Sequence, residues 1–180
     1  MPEPPLDTSM ILEARSGDKE AFGLLIRKLS HEMYRLAKAI LVNDEDCADA
    51  MQETIVRAYG GITKLREPLF FRTWLFRILI RECQQTLRRN KKMLPQSSLP
   101  EKGVIQAIPD YDLHSAVDRL EESLRIAVKL HYFAELPLSR IGELMAISEG
   151  TVKSRLFRAR KQLAEQLRSP DERKMEYELN

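Results

Sequence analysis

No stretch of about 18 consecutive apolar residues occurs in the chain, so nothing in it reads as a membrane span. The N-terminus, Met1 to Leu6, is proline-rich and acidic, unlike a signal peptide. Cysteine is scarce: Cys47 and Cys83 lie far apart, with no CxxC and no Cys/His cluster. They read as free buried thiols of a reducing, cytoplasmic compartment rather than a disulfide or metal site. His31, His114 and His131 fit no HExxH pattern, and there is no Walker loop, GxGxxG or GxSxG. Neither catalytic residues nor a metal or cofactor are therefore expected. Seven glycines and 7% aromatics favour helices over a sandwich or barrel.

What is abundant is charge, and it is unevenly placed. The net charge is only +2. Yet seven basic residues face one acid between Arg72 and Lys92, and six face two between Ser148 and Arg168. Two concentrated basic segments in a near-neutral chain point to two contacts with a polyanion.

The apolar periodicity predicts an all-α chain of two small helical domains joined by a flexible linker. The first block spans residues 8–92. Its stripe runs from Leu12 to Ala14, through Ala21, Phe22, Leu25, Ile26 and Leu29, then Met33, Leu36, Ala37, Ile40 and Leu41. Gly17 breaks it and Asp18 can cap the helix that follows. Asn43 or Asp44 caps a third helix, which Gly60-Gly61 should end. A last helix starts near Phe70. Residues 93–113 lose all periodicity and hold Pro95, Pro100 and Pro109, a linker signature. The second block spans 114–169, with a helix through Phe133, a short helix from Leu138 to Met145 and a long one from Glu149. A charged tail, 170–180, follows.

The strongest local signal lies between Leu138 and Leu167. A short helix with Ile141, Leu144 and Met145 on one face, a tight connection at Ala146-Ile147-Ser148 and a longer helix make a helix-turn-helix. Gly142 is small where the two helices approach closely. At 100° per residue, Val152, Leu156, Ala159, Leu163 and Leu167 form the core face of the long helix. The opposite side carries Ser154, Phe157, Arg158 and Lys161, flanked by Lys153 and Arg155. A face meant only for solubility mixes its signs, whereas this one is almost purely basic. An outward Phe among cations fits a thymine methyl in the major groove, and Arg158 or Lys153 can read guanine.

The first block carries a second site of different character. On the third helix Cys47, Ala50, Met51, Thr54, Ile55 and Ala58 turn inward, leaving Asp49, Gln52, Glu53 and Val56 as a row. An acidic row repels DNA and suits a basic protein surface. The last helix is basic, and Phe70, Phe71 and Trp74 open it, Trp74 reading as core. Cations beside aromatics at a loop match single-strand capture, in which an unstacked base enters a pocket.

Taken in order, the motifs Asp18-x-x-Ala21-Phe22, Asp49-x-x-Gln52-Glu53 with Ala58-Tyr59, Thr73-Trp74-Leu75-x-Arg77-Ile78 and Gly150-Thr151-Val152-Lys153-Ser154-Arg155-Leu156-x-Arg158-Ala159-Arg160 form one series. The series resembles bacterial sigma factors of the extracytoplasmic-function class, in the sigma-70 family, over about residues 8–169. The resemblance implies region 2 over 8–92 and region 4 over 114–169. It implies binding to core RNA polymerase, with Asp49, Gln52, Glu53 and Val56 on the clamp coiled coil and region 4 on the flap. It implies −10 recognition and melting by Leu65, Arg66, Phe71, Arg72, Arg77, Arg81, Gln84 and Arg88, without ATP. Lys153, Ser154, Arg155, Phe157, Arg158 and Lys161 would read duplex DNA at −35. An anti-sigma factor is the further partner implied.

Four positions depart from the family pattern. Arg81 stands where Asn is usual in the −10 pocket, and Glu121 where Pro opens the first helix of region 4. Pro137 and Arg140 stand where Ser and Glu are common. The competing reading is a free-standing helix-turn-helix regulator. It leaves the acidic row and the basic, aromatic first block unexplained. A nuclease would need a metal-binding cluster that the sequence does not offer.

Overall fold

The computed structural model describes residues 6–93 and 109–167, and every described element is helical. The expectations for 94–108 and for the tail lie outside the described residues. The chain divides into two compact units.

The first unit holds α1 (Thr8–Arg15), α2 (Lys19–Ile40), α3 (Asp44–Gly61) and α4 (Phe71–Met93). Its helices begin where short polar side chains can take up free amides. Asp18 Oδ1 accepts from Glu20 N at 2.8 Å and Ala21 N at 3.0 Å, and Asn43 accepts from Glu45 N at 2.9 Å. Gly17 makes the break between α1 and α2 at φ +107°, a conformation that costs other residues energy. The α2 stripe is buried as its periodicity predicts: Leu25, Leu29, Met33 and Ile40 lie in the core, as do Phe71, Leu75 and Leu79 of α4, which packs on α2. Each such side chain contributes roughly 1.5–3 kcal/mol by leaving water.

The third helix ends at Gly61, as the glycine pair predicts. α3 runs through Gly61 and passes directly into a 3₁₀ turn, Ile62–Lys64. The reason for glycine here is space: a Cβ on Gly61 would stand 3.2 Å from Trp74 Cζ2. Trp74, half-buried, lies across this helix end and touches Phe71 at a ring distance of 5.9 Å.

The second unit holds α5 (Pro109–Arg119), α6 (Glu122–Val128), α8 (Glu149–Leu167) and most of α7 (Leu138–Met145). α5 opens at Pro109, inside the segment read as linker. Proline suits a first helical turn, where the missing amide has no partner to lose. The single helix expected through Phe133 is instead α5, a break at Leu120 and Glu121, α6, and a π-helical turn at Lys129–Phe133. Glu121 makes the break by capping α6. Its carboxylate accepts from Ser123 N at 3.2 Å and from Ser123 Oγ at 2.8 Å. Buried Lys129 reaches back to Asp118 Oδ1 at 2.8 Å, and Arg125 donates to the Asp118 carbonyl at 2.9 Å, tying α6 to α5.

Candidate nucleic-acid and protein interfaces

The helix-turn-helix is set by its turn. Ile147 N donates to Gly142 O at 3.0 Å, and Ala146 takes φ +55° to allow it. Gly142 is indeed a point of close approach, to the turn backbone itself. A Cβ there would lie 2.9 Å from Ile147 O. Ser148 Oγ then accepts from Thr151 N at 3.1 Å and starts α8.

Val152, Leu156 and Ala159 of α8 are buried. The inward stripe fades after that: Leu163 is half-buried, and Leu167, expected in the core, is 47% exposed. Nothing packs over the last turn among the described residues. On the outer side Lys153, Ser154, Phe157, Arg158 and Lys161 are all exposed and Arg155 is half-buried, so the six proposed −35 residues share one surface. Phe157 is 65% exposed, a cost in water that a groove partner would remove. Lys153 meets Glu149 one turn earlier at 3.1 Å. Glu121 lies near this surface. Its carboxyl is held below the usual range first by Ser123, then by the Arg155 and Arg158 cations.

In the first unit, Asp49, Gln52, Glu53 and Val56 are exposed on α3. Two hollows flank the row. One, of ≈ 370 Å³, is apolar and lined by Tyr34, Met51, Ile55 and Val56; Met51 and Ile55, expected inward, are only half-buried there. At its edge, Tyr34 Oη donates to Asp44 Oδ1 at 2.9 Å and Lys38 Nζ to the same atom at 2.6 Å. These bonds lower the Asp44 carboxyl, Lys38 first and Tyr34 second, and raise the Lys38 and Tyr34 groups. The other hollow, ≈ 570 Å³, lies between α3 and α4 and is polar, with Glu53, Arg57, Glu82 and Arg89 in its walls.

The −10 set needs correction. Phe71 and Leu65 are buried, so neither offers a side chain to DNA. Phe71 falls in phase with Leu75 and Leu79 at helical spacing and belongs to the core. Arg72 is only partly exposed and reaches Glu32 at 3.5 Å, so it too serves the fold. The aromatic and aliphatic surface of the loop comes instead from the two residues before α4: Leu69 is 79% and Phe70 61% exposed. The signal for this was present, because Phe70 is out of phase with the α4 stripe that places Phe71 inside. Arg66 is exposed, and its carbonyl and that of Leu65 each accept from Arg15 Nη1 at 3.3 Å, which pins the loop to α1. Arg77, Arg81, Gln84 and Arg88 recur at helical spacing along one side of α4, with Arg81 and Arg88 exposed. Arg15, Leu69 and the Arg57–Glu82 pair were missed in the sequence, and Phe70 was noted beside the loop but left out of the −10 set. Arg15 and the Glu82 pairing carry no local pattern, since each depends on a contact with a distant element.

No described helix is long and apolar enough to cross a membrane. Among the described residues no cluster of His, Cys, Asp or Glu is placed to hold a metal ion.

Comparison with known proteins agrees with this organisation. Residues 25–93 match the family model of sigma-70 region 2, and residues 111–163 match that of sigma-70 region 4. RNA polymerase sigma factor SigV of Bacillus subtilis is 33% identical over 144 residues, covering 78% of this chain and 87% of that protein. ECF RNA polymerase sigma factor SigW of the same organism is 28% identical, covering 88% of this chain and 95% of its own length. Among solved structures, CnrH in complex with the cytosolic domain of CnrY shares the fold with a TM-score of 0.62 at 22% identity, covering 89% of this chain and 96% of that one. The sigma factor RpoE of Bartonella quintana, in complex with the anti-sigma factor NepR, gives 0.52 at 20% identity, covering 81% and 96%. The chain belongs to the extracytoplasmic-function class of the sigma-70 family of RNA polymerase sigma factors.

Proposed function

We propose that the chain is the promoter-specificity subunit of a bacterial RNA polymerase, binding the core enzyme and promoter DNA and starting transcription. The observation that carries this reading is the pairing of two unlike surfaces in one chain of this family. One is the exposed acidic row of α3; the other is the exposed basic face of α8. An acidic row has no use on DNA, and a basic face centred on Phe157 has little on a protein rim.

In this reading Asp49, Gln52, Glu53 and Val56 dock on the clamp of the polymerase. Phe157, Arg158, Lys153, Ser154, Arg155 and Lys161 enter the major groove at −35. A bidentate Arg158–guanine contact there discriminates by about 1–3 kcal/mol. At −10, Arg66, Arg77, Arg81, Gln84 and Arg88 hold the backbone, while Leu69 and Phe70 meet an unstacked base. Stacking contributes roughly 1–3 kcal/mol per base, which offsets an unpairing cost of a few kcal/mol without ATP. Arg81, in place of the usual Asn, alters which −10 base is favoured. The residue sets, the boundaries 8–92 and 114–169, a cytoplasmic location and the lack of catalytic activity all belong to this proposal. So does an inhibitor: both structural neighbours named above were solved with a bound protein, and the apolar hollow beside Val56 suits an apolar helix.

The test is transcription from a fragment library of the host genome by purified core polymerase with and without the protein. New start sites only in its presence support the reading and yield both promoter elements. Arg158→Ala should then weaken selection at −35, and Arg81→Asn should shift the preferred −10 base. Tight DNA binding without redirected polymerase would replace the reading with a free-standing regulator.

A further inference from the structure

Glu82 is the one acid between Arg72 and Lys92, and it is only 6% exposed. It projects into the polar hollow between α3 and α4. Its Oε1 lies 2.9 Å from Nε of Arg57, and the same Nε lies 4.0 Å from Oε2 of Glu53, one turn earlier on α3. One guanidinium thus stands between a buried carboxylate and an exposed one, close to the first and loose to the second. The order of preference is physical. A buried carboxylate without a partner is strongly unfavourable, whereas an exposed pair on a helix surface is weak and screened. Arg57 therefore stays with Glu82.

We propose that Glu82 is a positioning residue for polymerase docking: by holding Arg57 it keeps that cation off Glu53 and so preserves the negative charge of the row Asp49, Gln52 and Glu53. The proposal rests on the docking role of that row. Without Glu82, Arg57 turns to Glu53, since an acid four residues before a base is the favourable order on a helix. Half of the row's charge is then masked before polymerase arrives. Nothing in the binding surface itself is altered, so the effect on docking is electrostatic and intramolecular.

The full-length protein, labelled for fluorescence anisotropy, is titrated with core polymerase at low and high salt. Glu82→Leu places an apolar side chain of similar size in the buried position. It is expected to melt as the parent does and to bind core polymerase about fivefold more weakly at low salt, the difference shrinking at high salt. Glu82→Leu with Arg57→Gln is expected to recover parental affinity within about twofold, as removal of the freed cation unmasks Glu53. A purely structural role for Glu82 predicts no such rescue, so a double variant as weak as Glu82→Leu overturns the proposal. An unchanged affinity of Glu82→Leu, where Glu53→Gln does weaken binding, also overturns it. If Glu53→Gln leaves affinity unchanged, the docking role of the row fails and takes this proposal with it. Should Glu82→Leu not fold, Glu82→Gln keeps the shape without the charge and is expected to weaken binding in the same direction, with the same rescue.

Discussion

Helix α8 carries its exposed cations on a face that joins no other helix, while the basic residues of the first unit are divided between the fold and the surface. On α8, Val152, Leu156 and Ala159 anchor one side, and the other is left entirely to Lys153, Ser154, Phe157, Arg158 and Lys161. One helix with one register makes the whole surface. In the first unit, Arg72 reaches Glu32, Arg57 reaches Glu82, and Arg15 holds the loop carbonyls of Leu65 and Arg66. There the surface is assembled from a loop and two helices, so much of its charge holds the parts together. A surface on one helix tolerates change residue by residue. An assembled one couples binding to folding.

The sharpest test of that difference uses two neighbouring rings. Phe71→Ala empties a core position and should cost about 3–5 kcal/mol, read as a loss of the first unit's melting transition. Phe70→Ala removes an exposed ring and should leave stability within about 0.5 kcal/mol. Its effect should appear in promoter opening, as about a tenfold loss of permanganate-reactive −10 thymines at unchanged core binding. Equal stability losses for the two variants would contradict the division of labour between them.

The α8 surface has its own weak point, in the turn that aims it rather than in its side chains. Gly142→Ala drives a Cβ to 2.9 Å from the Ile147 carbonyl. Neither is the end of a flexible side chain, so the turn must open, at about 1–3 kcal/mol by analogy with overpacked cores. Urea unfolding should show the second unit weakened and the first unchanged, with −35 binding lost in proportion. Ala146→Gly tests the same turn in the opposite direction. Ala146 holds φ +55°, which costs an L-residue about 1–2 kcal/mol. Glycine removes that cost and adds unfolded-state entropy, for a net gain of roughly 0.5–1 kcal/mol in stability.

The same contrast explains what the sequence made legible. The α2 stripe, the Asp18 and Asn43 caps and the outward face of α8 follow from spacing within one helix, and all were readable. Phe71 could be told from Phe70 only by phase along α4, and the two lay at a loop boundary where phase is easily misjudged. The reach of Arg15 to the carbonyls of Leu65 and Arg66 and the capture of Arg57 by Glu82 join residues 50, 51 and 25 positions apart, and no local pattern carries them. Gly60-Gly61 was readable as a helix stop, and α3 does end at Gly61. That Trp74, 13 residues later, lies against Gly61 was not.

The smallest expected effect probes the one place where the α8 surface does meet the scaffold. Glu121 caps α6 through Ser123 and feels Arg155 and Arg158, so its carboxyl titrates below the usual range. A carboxyl lowered in the folded state stabilises above its unfolded value and loses that contribution as pH falls through its folded value. Because Glu121 is almost fully solvated, the contribution is only a few tenths of a kcal/mol. Glu121→Ala should therefore melt slightly below the parent at neutral pH, and the gap should close as pH drops through and beneath the ordinary glutamate range. The same variant removes a negative charge beside the two arginines, so it should bind −35 duplex a little more tightly while folding a little less well. Loss of both stability and DNA affinity would mean that Glu121 holds the α8 surface in place, making the second unit an assembled site like the first.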